Sequence, residues 1–195
     1  MRHLLLATRN AHKAREFSEI LGGDFVVRDL SDELEAPVIE ETGSTFAENA
    51  ILKAVGISRR FPALVVADDS GLEVDALDGA PGVFSARYAG PGATDAQNTA
   101  RLLSELSAVS KERLPTARFR CVLAVARNGE VLGTFEGAIE GVIVDSPRGS
   151  SGFGYDPVFQ PNGFAQTFAE LSAAEKNQIS HRARAIRLLR ARLAK

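Results

Sequence analysis

The hydrophobic positions of this chain switch between strand and helix spacing, and that switching predicts its elements. Leu4-Leu5-Leu6-Ala7 is an apolar run of strand length and predicts a buried first strand. Thr8-Arg9-Asn10 breaks it. Phe17, Ile20 and Leu21 then recur at helical spacing, predicting a helix from about Ala11 to Leu21 that Gly22-Gly23 stops. Phe25-Val26-Val27 predicts a second strand, and 34–39, with Pro37, is irregular. Thr45 and Glu48 have capping-box spacing and open a helix to about Arg59. Its apolar face is Ala47, Ala50, Ala54 and Ile57, while Asn49 and Lys53 share another face. Leu64-Val65-Val66-Ala67 predicts a third buried strand.

In the second half, Gly79-Ala80-Pro81-Gly82 marks a tight turn and Gly90-Pro91-Gly92 another break. Thr94 and Gln97 cap a helix to about Leu106, with Leu102, Leu103 and Leu106 inward. Arg118–Val125 predicts a long strand. Asn128-Gly129 predicts a hairpin, with Glu130–Glu136 returning antiparallel and Ala138–Val144 forming another strand of the same sheet. The sheet must therefore be mixed or antiparallel. Ser172 and Glu175 cap a helical tail, and Ala183, Ile186, Leu189 and Leu193 form the apolar face of a helix that begins or continues at Ser180-His181-Arg182.

Bulk properties narrow the function. The 195 residues suit one large domain, or one domain with two lobes. With 23 Lys and Arg against 25 Asp and Glu, the net charge is -2, so no basic excess points to a nucleic-acid polymer. The single cysteine, Cys121, excludes a disulfide framework. The Leu4–Ala7 run is too short for a signal peptide and no apolar stretch spans a membrane, so the expectation is a cytoplasmic protein with no membrane partner.

The candidate chemistry gathers at polar residues beside these elements. Asp68-Asp69-Ser70-Gly71 follows the third strand directly. Two adjacent carboxylates at the end of a buried strand repel each other and resist desolvation, and a divalent cation such as Mg²⁺ would compensate. The same four residues are also good turn chemistry. Thr8, Asn10 and Lys13 lie where a strand gives way to a helix, a ready anion site, although Asn10 also suits a plain helix cap with Lys13 solvated. Glu40-Glu41 adds a second carboxylate pair, or a solvated acidic loop. In Gly152-Phe153-Gly154-Tyr155-Asp156, glycines admit close backbone approach, aromatics offer a stacking face and Asp156 offers an acceptor; a plain turn is the alternative. Lys176, His181 and Arg182 could meet an anionic ligand.

Together these features suit a nucleoside triphosphate with Mg²⁺. The stretches LATRNAHKAREF, EETGSTFAENAILKA, ADDSGLEVDALDGAPGVFSARYAG, GFGYDPVF and LSAAEKNQISHRARA cover nearly the whole chain and resemble, in order, those of the Ham1 / inosine triphosphate pyrophosphatase family. Arg9 stands where many relatives have Gly, and either adds an anion contact or points away. The resemblance implies hydrolysis of XTP, ITP and dITP to a nucleoside monophosphate and pyrophosphate, removing damaged purines from the nucleotide pool. It implies an α/β fold over 1–195, with a long mixed central sheet and helices forming two lobes around a nucleotide cleft, and a homodimer. By the same resemblance Thr8, Asn10 and Lys13 hold the triphosphate, and Lys53 neutralises its charge. Glu40, or Glu41 if the pair slips by one, binds Mg²⁺ with Asp69. Asp69 is also the general base, with Asp68 open to either task, and Ser70 touches substrate. Phe153, Gly154, Tyr155, Asp156, Lys176, His181 and Arg182 bind the nucleotide, largely its base. A non-catalytic nucleotide-binding regulator and a Maf-type pyrophosphatase are the rival readings; the full carboxylate and lysine set speaks against the first, and the GFGYD loop and Ser-His-Arg tail against the second.

Overall fold

The computed structural model describes residues 2–109 and 114–194. Six strands form one sheet, with five α-helices among the described residues. In chain order they are β1 (Arg2–Leu6), α1 (Ala11–Leu21), β2 (Phe25–Arg28), α2 (Phe46–Ser58), β3 (Val65–Val74), α3 (Asp95–Val109), β4 (Thr116–Arg127), β5 (Glu130–Ile143), β6 (Phe159–Pro161), α4 (Ala173–Ile179) and α5 (His181–Leu193). The sheet order is β2-β1-β3-β4-β5-β6. Strand β1 runs parallel to both β2 and β3, while β5 and β6 are antiparallel, so the sheet is mixed as the hairpin signal required. Asn128 and Gly129 both have positive φ, 51° and 83°, which fits the two-residue type I′ turn between β4 and β5.

The chain divides into two compact units. One comprises residues 1–69, 121–137 and 181–195, and the other 70–120 and 138–180. Each has its own core. In the first, Leu4 and Leu6 of β1, Phe17 and Leu21 of α1, Val66 of β3, Leu123 of β4 and Ile186 and Leu189 of α5 pack together. In the second, Leu72, Leu102, Leu106, Phe119, Ile143, Phe159 and Phe168 do so. The rings of Phe119 and Phe159 meet edge-on with centroids 4.7 Å apart. Among the described residues no helix is long and apolar enough to cross a membrane.

Two expectations need correction. The third strand does not end at Ala67: β3 continues through Asp68-Asp69-Ser70-Gly71 to Val74, which removes the turn reading of those four residues. Glu130–Glu136 and Ala138–Val144 are one fourteen-residue strand, not two. Gly137 is no break in it. A Cβ there would lie 2.2 Å from the His181 carbonyl oxygen and 2.6 Å from the Ala185 nitrogen, so glycine is what lets β5 run close under α5. Of the two possibilities at Ser180-His181-Arg182, a new helix begins, because Ser180 is extended (φ -62°, ψ 159°) between α4 and α5.

The pairing of β1 with β3 positions the polar residues. Leu5 pairs with Val65 and Leu6 with Val66, and the Ala7 N–H donates to the Val66 carbonyl at 2.7 Å. Asp68 and Asp69 thus project past the carboxyl end of β1, where Thr8–Lys13 turns into α1. Carboxyl ends of parallel strands are where open α/β sheets present ligand sites.

Candidate active site

Consecutive residues of a strand point to opposite faces. Asp68 and Asp69 therefore enter different surroundings. The Asp68 side chain is sealed from solvent and its oxygens are bonded. Oδ1 accepts from Lys13 Nζ at 2.6 Å, while Oδ2 accepts from Arg182 Nε at 2.8 Å and from the Cys121 thiol at 3.2 Å. Burial alone would raise this carboxyl, but the Arg182 guanidinium and the Lys13 ammonium outweigh it and hold it well below the usual carboxylate range. Arg182 in turn pairs through Nη1 with Glu16 of α1.

Asp69 is poorer in partners. Its Oδ1 accepts from Lys53 Nζ at 3.0 Å, and its Oδ2 is buried with no hydrogen-bond partner among the described residues. Burial pushes the Asp69 carboxyl up, and Lys53 offsets this only in part. Lys53 divides its ammonium, donating also to Glu41 Oε1 at 2.7 Å and to the Asp68 carbonyl at 2.9 Å. Burial opposes its charge, but Asp69 and Glu41 together raise its pKa. Helix α2, closed by the Thr45–Glu48 capping box in both directions, carries Lys53 to this point. Asn49, one turn earlier, accepts from the Gly43 N–H at 2.8 Å and so fixes the bend that follows Glu41.

The carboxylate that reaches this cluster is Glu41. Glu40, the first choice from sequence, is exposed. Ser70 follows on β3, half-buried. At the head of α1, Asn10 is a true N-cap: its Oδ1 accepts from the His12 and Lys13 N–H groups at 3.0 and 3.1 Å. Thr8 Oγ1 accepts from the Asn10 N–H at 3.1 Å. The cap does not leave Lys13 solvated; its ammonium turns to Asp68. Arg9 points away from the cap and donates from Nη2 to the Ala36 carbonyl at 2.8 Å.

The remaining candidates form a second group, within the other unit. Asp156 is buried, and its Oδ2 accepts from Lys176 Nζ at 2.5 Å and from the Phe153 N–H at 2.9 Å. Lys176 Nζ stands 4.9 Å from the Phe153 ring centroid. Gly152 allows this closure, since a Cβ there would sit 2.0 Å from Asp156 Oδ2 and its φ is +78°. The Gly154 N–H donates to Asp95 of α3 at 2.6 Å. Tyr155 is a core residue rather than a stacking face: it is 3% exposed and its hydroxyl donates to the Ser85 carbonyl at 2.9 Å. Ser150 to Gly154, Asp95, Thr99 and Leu103 line a pocket of about 490 Å³. His181 and Arg182 open α5, in the first unit. Both are buried at the start of α5, and the Arg182 guanidinium lies between Asp68 and Glu16.

Sequence reasoning passed over Glu16 and left Cys121 unused. Glu16 stands three residues after Lys13 on α1, so helical spacing was the available signal. Nothing in the sequence ties Cys121 to Asp68.

Among the described residues no group of three or more His, Cys, Asp or Glu side chains converges as a metal cage. Mg²⁺ does not need one. It binds through one or two carboxylates with substrate phosphates completing the shell. Asp69 and Glu41, bridged by Lys53, with Asp69 Oδ2 buried and unbonded, fit that requirement.

The chain matches the profile of the Ham1 family over residues 4–192. It is 51% identical over 194 residues to the dITP/XTP pyrophosphatase of Bacillus licheniformis, covering 99% of this chain and 98% of that protein. Identity is 54% over 187 residues with the dITP/XTP pyrophosphatase of Geobacillus kaustophilus, covering 95% and 91%. A HAM1 protein structure from Coxiella burnetii superposes with a TM-score of 0.89 at 42% identity, over 100% of this chain and 99% of that one. Sequence motifs, sheet and whole-length similarity agree: the chain belongs to the Ham1 family.

Proposed function

We propose that this protein hydrolyses non-canonical purine nucleoside triphosphates, dITP, ITP and XTP, to the nucleoside monophosphate and pyrophosphate. The observation that carries the chemistry is Asp69, a buried carboxylate with one unbonded oxygen and raised proton affinity beside Lys53. Raised proton affinity makes it a better acceptor for a proton of water. The water oxygen bonds to the α-phosphorus, the bond to the β-phosphate's bridging oxygen breaks, and pyrophosphate leaves with that oxygen. Asp69 takes the proton. Lys53 and Lys13 neutralise the phosphate charge that grows in this step, which is the main task of a protein in phosphoryl transfer. Thr8 and Asn10 set the polyphosphate at the head of α1.

Glu41 and Asp69 are the residues that would hold Mg²⁺. When bound, the ion adds positive charge beside the phosphates and lowers the pKa of nearby water. Base recognition is assigned to Phe153 as the stacking surface and to Lys176 and Asp156 as the polar pair. A lysine donor matches the 6-carbonyl of hypoxanthine or xanthine and mismatches the 6-amino group of adenine, a polar error of the kind that discriminates strongly. Ser70, His181 and Arg182 complete the substrate surroundings, with Arg182 acting from its clamp between Asp68 and Glu16. Family membership supports a cytoplasmic homodimer.

The test is product analysis with Mg²⁺ and dITP, XTP, dGTP, dATP or dTTP, assaying pyrophosphate apart from orthophosphate. Pyrophosphate from dITP and XTP, with little from the others, is the expected result. Orthophosphate, or binding of dITP without any product, overturns the reading.

A further inference from the structure

Residues 29–45 connect β2 to α2 and deliver Glu41 to Lys53, and between the buried Leu30 and Ala36 their side chains are mostly exposed. Leu34 and Val38 are 92% and 83% exposed. The ion pairs from Arg28 to Glu33 and from Arg60 to Glu35 involve exposed arginines and hold little. The Leu30 N–H donates to the Thr8 carbonyl at 2.9 Å, and Ile39 packs on Gly56 of α2, where a Cβ would come within 2.5 Å of Ile39 Cδ1. Between those two points Ala36 is buried, and the bond from Arg9 Nη2 ends on its carbonyl. Among the described residues Arg9 has no carboxylate partner, so its charge is spent on this neutral acceptor.

We propose that Arg9 is a positioning residue. It straps the Thr8–Asn10 turn to Ala36 and so holds the segment that carries Glu41 in register with Lys53 and Asp69. Its effect on Mg²⁺ rests on the reading that Glu41 helps hold the ion. The strap itself does not. Nη2 stands one bond farther from the backbone than a lysine ammonium and on a stiff planar group rather than a flexible stem, so lysine does not reproduce this contact. Lysine therefore keeps the charge but not the strap.

The experiment compares wild type, Arg9→Gln and Arg9→Lys. Hydrogen–deuterium exchange is read first, on protein free of metal and nucleotide. Peptides covering 30–41 are expected to exchange about fivefold faster in both variants, the scale of one lost hydrogen bond from a charged donor at a partly exposed place. The Mg²⁺ concentration for half-maximal dITP hydrolysis is expected to rise by a similar factor, about fivefold, in both. Unchanged exchange over 30–41 overturns the strap. A raised KM for dITP in Arg9→Gln that Arg9→Lys restores, with unchanged exchange, makes Arg9 a phosphate contact instead. Faster exchange with no change in Mg²⁺ dependence overturns the link to Glu41. Should wild type fail to hydrolyse dITP, the functional reading falls, while the exchange result still decides the strap.

Discussion

Asp68 and Asp69 are neighbours on β3, yet one is bonded to Lys13, Arg182 and Cys121 while the other keeps an unbonded buried oxygen. Strand alternation produces this contrast from two identical side chains. Opposite consequences of substitution follow. Asp69→Asn is expected to abolish pyrophosphate release while the thermal midpoint stays within about 3 °C of wild type, because a neutral side chain removes a desolvation cost. Asp68→Asn removes the charge that Lys13 and Arg182 share, leaving Glu16 as the remaining carboxylate on Arg182, and should lower stability by about 2 kcal/mol. Assays with dITP and urea titrations of both variants check this; a stable Asp68→Asn protein would refute it.

The two carboxylates of the acidic pair should separate cleanly. Glu41→Gln removes an oxygen that Lys53 binds, and should raise the Mg²⁺ requirement for hydrolysis about tenfold. Glu40→Gln alters an exposed side chain and should stay within about twofold of wild type. Metal titrations at saturating dITP decide between them, and the reverse pattern would return the role to Glu40.

Gly137→Ala tests the close passage of β5 under α5. The added methyl meets backbone atoms of His181 and Ala185 rather than a flexible side chain. The loss should exceed about 2 kcal/mol in urea unfolding. An unchanged midpoint would mean that α5 can lift without cost.

The chain has two tyrosines and no tryptophan, so phenol ionisation can be followed by ultraviolet absorbance. Burial, and then the hydrogen bond to Glu105, push Tyr88 up to about 12. Burial likewise raises Tyr155. Both groups keep their protons in the folded state at a pH where the unfolded chain loses them, near pH 10. The unfolded state then binds fewer protons, so stability falls as pH rises from about 10 towards 12. Native protein should show no phenolate absorbance below about pH 11, and urea midpoints should drop over that window. A normal titration near pH 10 in the folded protein would contradict the arrangement.

Most of the architecture was legible because it rests on local signals. The capping boxes at Thr45, Thr94 and Ser172 are hydrogen-bonded as their spacing predicts. The Asn128-Gly129 hairpin was equally plain. Illegible features depend on contacts between distant segments. β3 carries two aspartates at positions where sequence alone leaves a turn and a cation-compensated carboxylate pair equally open, and it is Lys13, Lys53 and Arg182, arriving from α1, α2 and α5, that make a strand tolerable there. Glu40 and Glu41 are indistinguishable as a pair; the bend fixed by Asn49 decides which one reaches Lys53. Tyr155 read as a stacking ring because its acceptor, the Ser85 carbonyl, lies 70 positions away.

Cys121 sits fully buried on β4, its thiol donating to Asp68. Burial and that neighbouring carboxylate push the thiol's pKa well above its usual range, so thiolate, the form that oxidants and alkylating agents attack, is scarce. The lone thiol is thereby a silent marker. It becomes reactive only when the packing around Asp68 opens, and the rate at which a thiol reagent labels it is a clock for that opening.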